Sequence, residues 1–353
     1  MLQPGYNHSA NPDGSTSSLS RILIYLIGAA VLGLIIWLGR GVVRPSQPQT
    51  ILLYCFTGMQ EVMERGIFPA FRDYWEDQNG VEMEFIPTFA GSGSIVDKVI
   101  ARVPADVVIL ASEMDGHRLA TKALTTVAAW KQLPNMGICC RTALVILARD
   151  SDYVDIRGFE DLSEPGLDVI LSHPRTSGIG EWSLLAIYGS ALGRGYDHSG
   201  ALAQLADVWR NVTSAPSAQA ALRRFAEGEG SVVLAYEANV LPTPQRRRPP
   251  GQMVQLGSTT LCEPIVVVLE QNIAEDRREL VHSFVQFLWR EEVQRVFVEY
   301  GFRSLSDSLN RTRADFPRYS SLVTMESLGG ATVCRQQILE PFLTTIAAES
   351  SAD

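Results

Sequence analysis

The alternation of hydrophobic and polar residues separates an uncharged N-terminal stretch from a long region of strands and helices. Residues 22–39 carry no charged side chain, and Arg21 and Arg40 bracket them. A stretch of this length is just enough to cross a bilayer as a helix, so it predicts a transmembrane anchor over residues 21–40. The alternative interpretation is a signal peptide with an unusually long apolar core, which is removed on export.

The segments on either side of this stretch show no apolar period. Residues 1–20 are rich in Asn, Ser, Gly and Pro, which is typical of a disordered tail, and residues 41–50 are typical of a short linker. Arg40 and Arg44 do not favour export of the chain that follows them, although long domains often cross a membrane regardless of flanking charge. Charge alone therefore leaves the orientation open.

After residue 50, short apolar runs alternate with helical patterns, which predicts an α/β fold with mostly parallel sheets. Apolar residues spaced by three or four positions mark the helices, one of which is kinked at Pro69 or begins there. A long amphipathic helix is predicted from Leu280 towards Tyr300. The predicted strands cover residues 51–56, 81–86, 106–110, 167–171, 232–236 and 265–269.

Charge and cysteine usage narrow the classes of function. The formal net charge of -9 argues against nonspecific binding to nucleic acid. The basic run 246–248 precedes two prolines and is interpreted as a solvated loop. The five cysteines form no C-x-x-C pair, and no histidine cluster lies near them, so no zinc site, disulfide framework or cofactor is predicted. Cys55 and Cys262 fall in strand-like runs and are predicted to be buried small hydrophobic residues.

Three loop-to-helix junctions, at residues 91–94, 176–180 and 214–217, combine hydroxyl groups with small residues. The first N–H groups of a helix lack internal partners, and the helix dipole adds about half a positive charge there. Thr57 and Gly58, after the first strand, offer a fourth such position. Each junction alone is more typical of a simple helix cap. Together they predict an anion site if they meet in one cleft, whereas their spacing excludes a nucleotide P-loop and a hydrolase nucleophile elbow.

These residues resemble the sulfate-binding receptors of ABC uptake systems, and more distantly the molybdate-binding ones. The most specific segment is 174–178, Pro-Arg-Thr-Ser-Gly, which Trp182 follows. Residues 89–94 and 105–108 precede it in the family's order, and residues 236–239 and 328–330 follow it. The resemblance covers nearly everything after residue 50. It implies an α/β periplasmic-binding-protein type II fold, in which crossing strands join two lobes that close by a hinge motion on a buried ligand.

The resemblance also implies the lobe limits and the location of the protein. Lobe 1 is expected to comprise residues 51–136 and 263–353, and lobe 2 residues 137–262. The chain from residue 45 onward is expected to lie outside the cytoplasmic membrane. The expected partners are a small oxyanion and the permease subunits of an ABC importer.

The ligand contacts that the resemblance implies are backbone N–H groups and hydroxyls. Ser92 and Ser177 are expected to use both groups, and Tyr236 is expected to be a side-chain donor. The full set of predicted ligand-binding residues is Thr57, Gly58, Ser92, Gly93, Ser177, Gly178, Ile179, Ser217 and Tyr236.

Two departures from the pattern of sulfate receptors leave the identity of the ligand open. Thr57-Gly58 replaces the usual Asp-Pro, and Tyr236 stands where Trp is usual; both features are closer to the molybdate pattern. Overall length and residues 237–239 favour sulfate, with molybdate or tungstate as the alternative. Phosphate ranks third, because it carries a proton at neutral pH and needs an acceptor. Glu181 and Glu237 are expected to face solvent or to cap local structure.

Two other functions are weighed against uptake. An enzyme would use Cys139-Cys140 or Ser177 as its nucleophile, but His173 is expected to be structural, so no catalytic residue is predicted. A membrane-tethered oxyanion sensor would need a separate output protein, because the chain shows no kinase, cyclase or coiled-coil pattern. Uptake is therefore the simpler hypothesis.

Overall fold

The computed structural model describes residues 18–40, 48–149 and 156–349, and contacts divide the chain into two units, 1–47 and 48–353. The predicted disordered tail and linker fall almost entirely outside the described residues. The description below therefore concerns one N-terminal helix and the two-lobed unit that starts at Pro48.

The first unit contains helix α1, Ser18–Arg40. Its large apolar side chains between Ile22 and Leu34 are exposed. No helix within the described residues combines the length and the hydropathy that crossing a bilayer requires. The structure thus does not support the membrane-spanning helix that the sequence predicts at residues 22–39.

The strands of the second unit are short, and most are rich in Val, Ile and Leu, as expected for strands covered on both faces. Of the eleven strands in the described part of this unit, ten have at least three residues and one has two. They are β1 Gln49–Phe56, β2 Met83–Ala90, β3 Val107–Leu110, β4 Thr142–Ala148, β5 Val169–Ser172, β6 Val212–Ala215, β7 Val232–Tyr236, β8 Gln252–Met253, β9 Ser258–Cys262, β10 Ile265–Val268 and β11 Ser321–Val323.

The helices of this unit mostly follow the strands, as the alternating pattern predicts. Two π-helical segments, Met63–Ile67 and Cys334–Leu339, each join two α-helices without an intervening loop. The helices are α2 Gln60–Val62, α3 Phe68–Asn79, α4 Ser92–Ile100, α5 Glu113–Thr121, α6 Val127–Lys131, α7 Gly178–Gly193, α8 His198–Trp209, α9 Ala218–Ala226, α10 Glu237–Val240, α11 Arg278–Phe287, α12 Glu291–Glu299, α13 Asp307–Asn310, α14 Gly330–Val333 and α15 Glu340–Glu349.

Two sheets define the two lobes. The first lobe holds four strands in the order β10-β3-β1-β2, in which β1, β2 and β3 are parallel and β10 is antiparallel. The second lobe holds seven strands in the order β11-β9-β4-β7-β5-β6, with β8 paired to β4. Within it, β5, β6 and β7 are parallel. The two-lobed α/β fold implied by the resemblance is therefore confirmed.

Two chain segments cross side by side between the lobes. Ile138 and Ile265 form an antiparallel bridge, and the N–H of Cys139 donates to the carbonyl of Pro264 at 3.2 Å. The indole of Trp289 donates to the carbonyl of Ile138 at 2.8 Å. These paired segments are two of the connections between the lobes, and Arg303 forms a further bridge with Arg141.

The structure corrects two local predictions. The long helix from Leu280 to Tyr300 is broken, because Arg290 adopts an extended backbone that caps α12. The side chain of Gln294 reaches back to the carbonyl of Leu288, which satisfies the end of α11. Strand β11 joins the second sheet although it lies in the segment assigned to lobe 1, because it pairs with β9.

Candidate functional site

The carboxyl ends of parallel strands set where the helices of the candidate site begin. Helix α4 follows β2, α7 follows β5, and α9 follows β6. In a parallel sheet these strand ends share one edge, where α/β proteins commonly bind ligands. The two lobes turn these edges towards each other, as the backbone contacts of the α4 and α7 loops show.

The first such contact is a close approach of two loops across the cleft. The N–H of Ser94 faces the carbonyl oxygen of Thr176 at 3.4 Å. A Cβ atom at Gly91 would lie 2.0 Å from the same oxygen, and one at Gly178 would lie 2.2 Å from the Cβ of Ala111. Only glycine fits at both positions, so the sequence itself is adapted to a closed cleft.

The starts of α4 and α7 leave backbone donors free. Within the described residues, the N–H groups of Ser92, Gly93, Gly178 and Ile179 find no acceptor. All four residues are buried, so water does not readily take the place of a partner. Unpaired buried donors are costly in a folded protein, and a helix start that offers them is suited to an anion.

Two hydroxyl groups add to these free donors. Ser177 is 4% exposed, and its Oγ forms no hydrogen bond with any described residue. Tyr236 is 2% exposed, and its hydroxyl is buried without a partner. Burial raises the pKa of Tyr236 well above its usual value, with Cys262, Glu181 and Asp115 adding to the shift. The hydroxyl therefore keeps its proton and can donate it.

Tyr236 also touches the loop after the first strand. A Cβ atom at Gly58 would lie 3.1 Å from the Tyr236 ring, and the amide of Asn239 donates to the Gly58 carbonyl at 2.9 Å. The ring of Phe56 packs edge-on against Tyr236 at 5.9 Å between centroids. The loop of Thr57 and Gly58 thus lies beside Tyr236.

The hydroxyl of Ser92 is used inside the first lobe. It donates to Asp115 Oδ2 at 2.5 Å and accepts from the N–H of Ala111 at 2.9 Å. The predicted hydroxyl contact with the ligand is therefore not available in this arrangement. The N–H group of Ser92 is the donor that remains.

Ser217 lies at the start of α9, where its hydroxyl acts as a helix cap. Its Oγ accepts from the N–H of Ala220 at 3.2 Å. The hydroxyl of Thr176 donates to the carbonyl of Pro216 at 3.2 Å, which ties the α7 loop to the α9 loop. Ser217 itself is only half-buried.

Two glutamates that were expected to face solvent are buried, which corrects the sequence-based interpretation. Glu181 is paired with Arg335 at 2.5 Å, and Glu237 with Arg303 at 2.9 Å. Burial raises the pKa of Glu181 to about 8 and that of Glu237 to about 7, in spite of these partners. Arg335 lies 154 positions from Glu181, and Arg303 lies 66 positions from Glu237. The local sequence therefore does not indicate these pairs.

A third buried carboxylate, Asp115, was not singled out from the sequence. Its Oδ1 accepts a hydrogen bond from Arg118 at 3.3 Å, and its Oδ2 accepts one from the hydroxyl of Ser92. Arg118 also pairs with Asp97 at 2.6 Å. The only sequence signal for this residue is its place on the helix that follows β3, at the same sheet edge as the predicted loops.

The residues considered as catalytic groups, His173, Cys139 and Cys140, make structural contacts or are buried. His173 Nδ1 accepts from the N–H of Arg175 at 3.1 Å, and its imidazole has no bond to the Ser177 hydroxyl. Cys139 and Cys140 are fully buried, and burial raises the pKa of the Cys140 thiol well above its usual value. Cys55 and Cys262 are buried in the strands, which confirms the prediction for these two thiols.

The arginine run is only partly the solvated loop that was predicted. Arg247 and Arg248 are exposed, but Arg246 crosses the cleft to Glu61 at 2.7 Å. The hydroxyl of Thr243 donates to the same carboxylate at 2.5 Å. The indole of Trp182 crosses at another point, donating to the carbonyl of Ala111 at 2.9 Å. These bonds hold the two lobes together in the closed arrangement.

The chain belongs to the family of bacterial extracellular solute-binding proteins, whose model matches residues 51–303. It is 29% identical over 288 residues to the sulfate-binding protein of Synechococcus elongatus, and this match covers 81% of this chain and 82% of that protein. It is 24% identical over 267 residues to the thiosulfate-binding protein of Pseudomonas aeruginosa, and this match covers 74% of this chain and 80% of that protein.

The solved structures agree on the fold. The sulfate-binding protein SubI from Mycobacterium tuberculosis has a TM-score of 0.73 to this chain at 24% identity, and the match covers 83% of this chain and 100% of that chain. The family resemblance drawn from the sequence is thereby confirmed. As a member of this family, the chain is a solute-binding protein rather than a member of an enzyme family.

Proposed function

We propose that this protein binds a tetrahedral oxyanion dianion, sulfate, between its lobes and delivers it to the permease subunits of an ABC importer. The observation that carries the proposal is the set of buried donors without acceptors at the starts of α4 and α7 and on Tyr236. A doubly charged oxyanion supplies acceptors to all of them at once. The sulfate-binding and thiosulfate-binding relatives support the same chemical class.

The proposed ligand contacts follow the free donors. The N–H groups of Ser92, Gly93, Gly178 and Ile179 would point at the anion, and the hydroxyls of Ser177 and Tyr236 would donate to it. The helix dipoles add positive potential without a charged side chain. Thr57, Gly58 and the Ser217 region would complete the site from the edges of the cleft.

The donor-rich site favours a fully ionised anion. Hydrogen phosphate brings a proton that needs an acceptor. Both oxygens of Asp115 already hold protein donors, Ser92 and Arg118, so this carboxylate supplies no free acceptor. At Asp115 this favours sulfate over phosphate, whereas Glu181 Oε2 is buried without a partner, and the phosphate arm of the thermal-shift series tests whether it accepts that proton. Molybdate and tungstate have the same charge and shape as sulfate and remain the alternative ligands.

A thermal-shift series on residues 45–353 tests the proposal, with sulfate, thiosulfate, molybdate, tungstate and phosphate as probes. At about 100 times its dissociation constant, the bound anion should stabilise the fold by roughly 2.7 kcal/mol. Sulfate should give the largest shift at equal concentration. No shift with any tetrahedral dianion would reject the oxyanion receptor, and the largest shift with phosphate would reject the argument from acceptors.

A binding role without catalysis is part of the proposal. The hydroxyl of Ser177 has no base in hydrogen-bond contact, and the thiol of Cys140 stays protonated because burial raises its pKa. The purified protein should therefore not hydrolyse ester or sulfate-ester substrates. Turnover that disappears in Ser177→Ala would contradict this role.

Location and partners form a separate part of the proposal. The family is extracellular, and attachment through α1 stays a prediction that rests on the uncharged stretch 22–39. Mass measurement of the exported protein would show whether residues 1–40 are retained, and release from membranes by salt alone would contradict a tether. Capture of permease subunits supports uptake, whereas capture of a sensor kinase would favour signalling.

A further inference from the structure

A cavity of about 470 Å³ opens beside the proposed sulfate site. Its first-lobe wall runs from Thr57 and Gly58 to Arg65, and its second-lobe wall is formed by α9 and the loop before Pro249. The cavity reaches Gly58 and Ala218, next to Tyr236 and to the start of α9. Apart from Thr57 and Gly58, none of the predicted ligand-binding residues lines this cavity, so most of its space lies outside the donor cluster.

The charge of this cavity is opposite to that of the chain. Arg65, Arg223 and Arg247 line it, and all three are exposed without a salt bridge or side-chain hydrogen bond to any described residue. Two glutamates also line the wall. Glu61 holds Arg246 and Thr243, and Glu64 accepts from Gln60 at 3.3 Å. With Arg246, four arginines line this opening against two glutamates, so its charge is positive in a chain whose formal net charge is -9.

Elsewhere in the cleft the two lobes are in direct contact. The α4 and α7 loops touch there, since Gly91 has no room for a Cβ atom beside Thr176. The indole of Trp182 reinforces the same contact by its bond to the carbonyl of Ala111. The arginine-lined cavity opens at the edge of the site where Thr57 and Gly58 lie.

We propose that Arg65, Arg223 and Arg247 form a vestibule that gathers the inorganic dianion and steers it to the helix starts. This inference rests on the proposed function. A cleft lined by one sign of charge concentrates the opposite ion and raises association rates by about 10- to 1000-fold. The arginines are exposed and outside the donor cluster, so they act on capture and not on the bound state.

Stopped-flow measurements on the exported chain, with sulfate as the probe, test the vestibule. Trp182 spans the cleft, so tryptophan fluorescence should report closure. The triple variant Arg65→Gln, Arg223→Gln, Arg247→Gln should associate about tenfold more slowly at low ionic strength. Its dissociation rate should stay within twofold of the unaltered protein, and the difference in association should vanish at high sodium chloride because salt screens exposed charges.

A matched control removes the same charge elsewhere. Arg72, Arg311 and Arg318 are exposed and do not line the cavity, so their triple change to Gln should leave the association rate close to that of the unaltered protein. Equal rates in the two triple variants, or a loss confined to dissociation, would overturn the vestibule. Calorimetry on the unaltered protein separates the two proposals, since absence of sulfate binding there rejects the proposed function itself.

Discussion

Ser92 donates its hydroxyl proton to Asp115, with 2.5 Å between the two oxygens. Both side chains are completely buried, and the same Ser92 oxygen accepts from the N–H of Ala111. The bond fixes the first turn of α4 against α5 within one lobe. It leaves the backbone N–H of Ser92, and not its hydroxyl, to face the cleft.

The first prediction therefore separates stability from binding at Ser92. Ser92→Ala should lower the free energy of unfolding by about 1–3 kcal/mol, because it leaves a buried carboxylate short of a donor. Sulfate affinity should change by less than tenfold, since the N–H group is retained. Urea unfolding and calorimetry measure the two effects, and a loss of affinity with unchanged stability would show that the hydroxyl contacts the ligand.

Ser177 should behave in the opposite way. Ser177→Ala removes a hydroxyl that has no protein partner, so the free protein should keep its stability. Affinity for sulfate should fall by about 1–3 kcal/mol through loss of a hydrogen bond to a charged group. Calorimetry measures this, with Ser199→Ala as the control, because Ser199 is exposed and starts a helix away from the cleft. Equal affinities in both variants would remove Ser177 from the site.

Tyr236→Phe removes only the buried, unpartnered hydroxyl. Without ligand, the variant should be at least as stable as the unaltered protein, because an unpaired buried polar group is costly. Sulfate binding should weaken by about 1.5–3 kcal/mol, the usual contribution of a hydrogen bond to a charged group. Thermal unfolding with and without sulfate shows both effects. A destabilised free protein with normal binding would mean that the hydroxyl has a structural partner.

Closure of the lobes depends on the absence of a side chain at Gly178. Gly178→Ala would bring a Cβ within 2.2 Å of the Ala111 Cβ, whereas Gly193, on the same helix, has nothing within 4 Å of that position. We expect the unaltered protein to become more compact on binding, as measured by small-angle scattering, whereas Gly178→Ala should lower sulfate affinity by more than tenfold and abolish this compaction. Gly193→Ala should leave both unchanged. Normal compaction in Gly178→Ala would show that closure does not need this contact.

Glu181 should make stability depend on pH. Its pKa is about 8 in the folded protein, above the ordinary value of 4.5, so the folded state holds a proton that the unfolded state has released. Stability should therefore fall as the pH rises between these values, by up to about 1.4 kcal/mol per pH unit. Urea unfolding between pH 5 and 8 measures this slope, which Glu181→Gln should reduce. An unchanged slope would assign it to Glu237 or to other groups.

Local sequence was sufficient to locate six of the eleven strands of the described residues, but not β4, β6, β8, β9 or β11. The apolar run 232–236 is strand β7 with the predicted bounds, and β5 begins two residues later than predicted. These patterns are readable because burial on a strand or helix face needs apolar side chains at fixed spacing. The break at Arg290 was missed, because apolar periodicity continues through it and the capping bond comes from Gln294.

The sequence by itself determined the alternating α/β pattern, the glycine and hydroxyl residues of the loops, and the family. These depend on neighbouring residues, whose backbone preferences and spacing are set along the chain. Only the tertiary structure decided three interactions. The hydroxyl of Ser92 donates to Asp115, the buried Glu181 pairs with Arg335, and Arg246 joins the lobes through a salt bridge with Glu61. The physical reason is that a polar group's role depends on burial and on partners that folding brings from distant parts of the chain.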